Sequence, residues 1–155
     1  MDHEAFMRRA VEICRKGIAA GQSPFGSVIV RDGRVVAEAH NTVWQDTDPT
    51  AHAEVNAIRV ACRGLDRIDL SGSTLYTTCE PCPMCLAASH WARVDRVIFG
   101  ASIADADAAG FSELSIPAAS LARQGGSPLL VEPGPLRDDC LALFATWQAA
   151  RGRAY

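Results

Sequence analysis

The segment TLYTTCEPCPMC, residues 74–85, decides how the rest of the chain is read. Residues 74–78 form a short β-branched and aromatic run of strand type, and residues 83–92 read as a helix leaving the motif. Between them lie three of the chain's six cysteines, Cys79, Cys82 and Cys85, so that two overlapping C-x-x-C pairs share Cys82. Six cysteines in 155 residues are too few for a disulfide-dense scaffold. Clustered thiols in such a chain read as metal ligands or reactive groups before they read as bridges.

Working outward, residues 3–20 carry Phe6, Ala10, Ile13, Cys14 and Gly17 at helical spacing, with Asp2 as an N-cap and Gly21 as a stop. SVIV (27–30) and RVVAEAH (34–40) flank Asp32-Gly33, the signature of a tight hairpin. Asp48-Pro49 offers a cap and a first-turn proline for a helix over residues 50–62. Residues 95–101 read as a strand and 129–131 as a short one. Leu136, Cys140, Leu143, Phe144 and Trp147 mark a last amphipathic helix. The run ADADAAGFSEL fits no single element. This order predicts an α/β fold: a mixed central sheet in a three-layer α/β/α sandwich, one domain over residues 1–155.

The formal charge of −3 argues against a broad nucleic-acid footprint, which needs clustered cations. No apolar run is long enough for a membrane span, and the N-terminal residues lack the apolar core of a signal peptide. A cytoplasmic location is the expectation.

His52-Ala53-Glu54 opens one predicted helix, and Pro81-Cys82-Pro83-Met84-Cys85 opens another about thirty residues later. Imidazole and thiolates are zinc ligands, and one His with two Cys leaves the fourth tetrahedral position for water, as in catalytic sites. Helix starts favour thiolate and carboxylate through their free N–H groups. A carboxylate such as Glu54 beside that water can take its proton and pass it to a substrate nitrogen. Cys79 as a fourth ligand would instead close a structural site and make the chain a zinc-stabilised binding module, but that leaves Glu54 without a task.

H-x-E with P-C-x-x-C is the signature of zinc-dependent nucleobase deaminases. Beyond it, SPFGSVIVRDG, DPTAHAEVNAIR, LYTTCEPCPMCLAASHWAR, DADAAGF and the terminal Tyr155 resemble the cytidine deaminase superfamily, and most of all its bacterial guanine deaminases. The resemblance implies a cytidine deaminase-like fold and Zn2+ held by His52, Cys82 and Cys85, with Glu54 carrying protons. It implies substrate contacts from Asn41, Phe25, the Ala53 backbone and Trp91. It also implies a homodimer in which a C-terminal segment, about residues 135–155, is exchanged so that Tyr155 closes the partner's site. Phe25 and Trp91 equally suit core packing, Asn41 a turn, and Tyr155 a frayed end. Glu113 stands where the guanine deaminases carry a catalytic acid, with Ser112 in place of a first acid. The implied reaction is hydrolytic deamination of a purine base, guanine to xanthine first. Transfer-RNA adenosine deamination and cytosine or nucleoside deamination are the alternatives.

Overall fold

Asp32 and Gly33 both take positive φ, 50° and 71°, in the computed structural model, which describes residues 2–155. That backbone matches the twist of a two-residue hairpin, and it pairs β1 (Gly26–Arg31) antiparallel with β2 (Arg34–His40). β3 (Ser73–Cys79) lies antiparallel on the other side of β1. β4 (Arg96–Ala101) and β5 (Leu130–Pro133) follow in parallel, giving the order β2-β1-β3-β4-β5.

The helices are α1 (His3–Ala19), α2 (Val43–Asp46), α3 (Ala53–Leu65), α4 (Pro83–Trp91), α5 (Ile103–Ala108), α6 (Ala118–Gln124) and α7 (Arg137–Ala149). Strand alternation sorts them into two outer layers. Val28, Val30, Tyr76 and Ile98 join Met7, Val11 and Cys14 of α1 and Leu143 and Trp147 of α7. Ile29, Leu75 and Val97 point the other way, into Ala57 and Ala61 of α3, Leu86 of α4 and Ala122 of α6. The expected mixed sheet with helices on both faces is what forms. Among the described residues, no helix is long and apolar enough to cross a membrane.

Three local expectations change. The helix expected over residues 50–62 begins at Ala53, because the Asp48 side chain turns back on Thr50, accepting from its N–H at 2.8 Å and its hydroxyl at 2.7 Å. Asp48 therefore makes a turn, and His52 becomes the N-cap. The ambiguous run after β4 resolves into α5, started by a capping box between Ser102 and Asp105. α2 and α6, of four and seven residues, had no sequence signal.

Gly26 is where the sheet meets α1 most closely. A Cβ there would lie 2.5 Å from the Ala10 carbonyl and 2.6 Å from the Cys14 nitrogen, both rigid helix backbone. Gly26→Ala is expected to lower stability by about 1–3 kcal/mol, the usual cost of overpacking. Urea unfolding measures this, and an unchanged midpoint would show that α1 does not seat against β1 in this way.

Candidate active site

β3 ends at Cys79, and the chain crosses Glu80 and Pro81 before α4 begins. Cys82 is the N-cap of α4 and His52 the N-cap of α3, both in extended backbone conformation. Neither side chain makes a capping hydrogen bond. Both are thus free to point across the gap between the two helix starts, where Cys85 joins them from the first turn of α4. The His52 Nδ1 lies 3.6 Å from the Cys82 Sγ and 3.5 Å from the Cys85 Sγ. All three donor atoms fall within 4.8 Å of one another.

These residues fit zinc. Zn–S near 2.3 Å and Zn–N near 2.0–2.1 Å in a tetrahedron put nitrogen and sulfur roughly 3.5 Å apart. The thiol chemistry fits as well: the hydrogen bond from Cys85 holds the Cys82 thiol down at about 4, and the same bond pushes Cys85 up. A bound divalent ion would take the place of that shared proton and favour the thiolate form of both. Cys79 behaves differently. Burial pushes its thiol well above its usual range, and its Sγ donates toward the Ser102 carbonyl at 3.5 Å. Cys79 stands outside the three-donor cluster.

Glu54 occupies the second position of α3 and is buried. Burial, and then the neighbouring Cys82 thiolate, push its carboxyl up to about 7, suited to exchanging protons near neutral pH. His52 and Glu54 are two residues apart, yet both face one cavity of about 140 Å³ together with Cys82, Phe25, Glu113 and Tyr155. Burial also raises the Glu113 carboxyl. The Ala53 N–H lies at the first position of α3, where helix geometry provides no intrahelical acceptor.

Phe25 packs in the core and also borders the cavity. Its ring meets Phe111 edge-on at 4.9 Å and Phe144 at 6.0 Å, while also walling the cavity. Asn41 is fully buried, and it lies behind Tyr155 rather than at the cavity wall. Its amide donates to the Tyr155 hydroxyl at 2.7 Å and its oxygen accepts from Val43 N–H at 3.0 Å. Tyr155 was expected from a partner subunit; in this structure it comes from the chain's own tail. That tail is also held by a hydrogen bond from the Trp44 ring to the Arg153 carbonyl, 2.9 Å, with the Arg153 guanidinium 3.5 Å above the same ring.

Trp91 requires a correction. It is 80% exposed and borders a different surface recess, of about 1020 Å³, with Ile68 and His90. The reason is helix geometry: Cys82 caps one end of α4 and Trp91 is its last residue, nine positions and roughly 13 Å away at 1.5 Å per residue. Sequence reasoning missed Phe111 and Glu80 as cavity residues. Glu80 had one available signal, a charged side chain inside a motif whose other members ligate or turn.

Comparison with known proteins agrees with this geometry. The family model of the cytidine and deoxycytidylate deaminase zinc-binding region matches residues 1–101. Guanine deaminase of Bacillus subtilis (strain 168) is 52% identical over 114 residues, 73% of this chain and 73% of that one. A tRNA-specific adenosine deaminase of Aquifex aeolicus (strain VF5) is 43% identical over 101 residues, 65% of this chain and 67% of that one. Among solved structures, a guanine deaminase from Nitrosomonas europaea superposes with a TM-score of 0.86 at 32% identity, covering 94% of this chain and 84% of that one. With His52, Glu54, Cys82 and Cys85 all inside the matched region, the chain belongs to the zinc-binding family of cytidine and deoxycytidylate deaminases.

Proposed function

We propose that this chain deaminates guanine hydrolytically, giving xanthine and ammonia, with His52, Cys82 and Cys85 as the zinc ligands. The observation that carries the reading is the small cavity onto which His52, Cys82 and both carboxyls, Glu54 and Glu113, converge beside Tyr155, with the Cys85 donor within 4.8 Å of the other two ligands. At about 140 Å³ it is small beside the roughly 300–1,000 Å³ of pockets for larger ligands, and suits a free base. The guanine deaminases among its relatives support the choice of base.

Zinc, when bound, supplies a water ionised near neutral pH. Glu54 is placed to carry protons, and would move those of the attacking water to the ring nitrogen and then to the departing amine, as a carbon–oxygen bond replaces the carbon–nitrogen bond. Phe25 packs against the ring, the Ala53 N–H holds the base's polar edge, Asn41 holds Tyr155 in place through its hydroxyl, and Glu113 assists proton transfer to the leaving group. Tyr155 excludes water from the closed cavity.

The second reading is adenosine deamination on transfer RNA, favoured by the relatives with that activity. The net charge of −3 and the tail lying across the cavity weigh against it. We also infer a homodimer, supported by the exposed apolar Ile68, Trp91 and Leu130 around the larger recess. Within this chain the tail's Tyr155 reaches Asn41.

Zinc-loaded protein is expected to release ammonia from guanine, and Glu54→Ala to lose at least about a thousandfold in kcat through loss of the proton carrier. Ammonia release from a tRNA anticodon stem but not from guanine would favour the second reading. Sedimentation velocity is expected to give a dimer for the wild type and a monomer for Trp91→Asp; a monomeric wild type excludes the dimer.

A further inference from the structure

Glu80 is half-buried at the rim of the cavity, between the thiols Cys79 and Cys82, and zinc chemistry gives it no task. Its backbone N–H continues the β3–β4 pairing, donating to the Ala101 carbonyl at 2.7 Å. Its carboxylate points the other way and is fully engaged. One oxygen accepts from the Ile103 N–H at 3.1 Å, and the other accepts from the Ala118 N–H at 2.8 Å. These are the first residues of α5 and α6, and both are buried. A helix start leaves such N–H groups without an intrahelical acceptor. Pro117, the residue before α6, makes no side-chain cap.

The two N–H groups bracket the segment that carries Phe111, Ser112 and Glu113 into the cavity. Phe111 is well anchored, its ring meeting Phe25 at 4.9 Å, Trp147 at 5.0 Å and Tyr155 at 5.5 Å. Residues 112–117 are not. They are mostly exposed, and among the described residues their side chains make no hydrogen bond. Beyond Phe111, the segment is attached by a long bond from the Ser112 N–H to the Tyr155 carbonyl, 3.4 Å, and by the shorter one from the Ala118 N–H to Glu80.

We propose that Glu80 is a positioning residue whose carboxylate clips both ends of the 103–118 segment to the zinc loop and thereby sets where Glu113 enters the cavity. This inference rests on the deaminase reading above. A carboxylate is suited to the task because it offers two acceptors and no donor, so it satisfies two N–H groups at once. An amide of the same shape accepts one N–H and sets its own N–H₂ against the other. The zinc ligands are held by α3 and α4, outside the clipped segment, so loss of the clip leaves them in place. Proton transfer is sensitive to displacement on the ångström scale, so the rate responds where binding does not.

Glu80→Gln in the zinc-loaded enzyme is expected to lower kcat on guanine about tenfold with KM within about threefold. Bound zinc should stay near the wild type, while the thermal midpoint falls by a few degrees because one buried N–H loses its acceptor. In a Glu113→Gln background the same change should lower the residual rate less than about twofold, because a residue that acts through Glu113 has nothing left to position. Amide hydrogen exchange, which needs no substrate, should quicken at residues 111–118 and stay unchanged at 53–58 and 83–88. Glu80→Asp, which keeps both acceptors but shortens the reach, should fall between wild type and Glu80→Gln in both readouts. Loss of zinc, equal loss of rate in both backgrounds, or a rise in KM alone would each overturn the proposal, as would unchanged exchange. If the wild type released no ammonia from guanine, the substrate reading would fall, and the exchange comparison would still decide whether the clip exists.

Discussion

Everything functional in this fold depends on two helices that start close together with residues whose side chains do not cap them. Ser, Thr, Asp or Asn at an N-cap folds its side chain onto the helix it starts. His52 and Cys82 stand in those positions without such a bond. Their side chains are available to each other across 3.6 Å, with Cys85 completing the cluster. The backbone thus fixes the origin of two ligands, and the free helix N–H groups favour the charged forms that a metal requires. Glu54 follows His52 by two residues and lies beside the same cavity, where burial raises its carboxyl to about 7.

A second tier of interactions closes what the helix starts begin. Phe111 is its hub, bridging Phe25 before β1, Trp147 of α7 and Tyr155 at the chain's end. Asn41, just past β2, is held from both sides by Tyr155 and the Val43 N–H, so the hairpin is tied to the tail. Glu80 ties the zinc loop to the segment between α5 and α6. Residues far apart in sequence therefore meet around one small cavity whose chemistry comes from a local motif.

That division explains what was legible beforehand. α1, the hairpin, β3, α4 and α7 follow from periodicity and turn residues, which act over a few positions. The donors His52, Cys82 and Cys85 were legible because zinc constrains residue type and spacing together. α6 was not, since the acceptor for its first N–H is Glu80, thirty-eight positions back. The start of α3 was misplaced because Asp48 had two local options, cap or turn, and its bonds to Thr50 chose the turn. Trp91 was placed in the pocket by resemblance, and the length of α4 carries it to the far end. The Tyr155 position was legible from resemblance, while its bond to Asn41 within the same chain was not.

The central claim is that three protein donors, two of them thiolates, hold the zinc and leave one position open, with Cys79 excluded. X-ray absorption at the zinc K-edge of the purified protein measures this directly. The expected spectrum has two sulfur neighbours near 2.3 Å and two nitrogen or oxygen neighbours near 2.0–2.1 Å. Three sulfur neighbours would make Cys79 a ligand and the site a closed structural one, and would contradict the account.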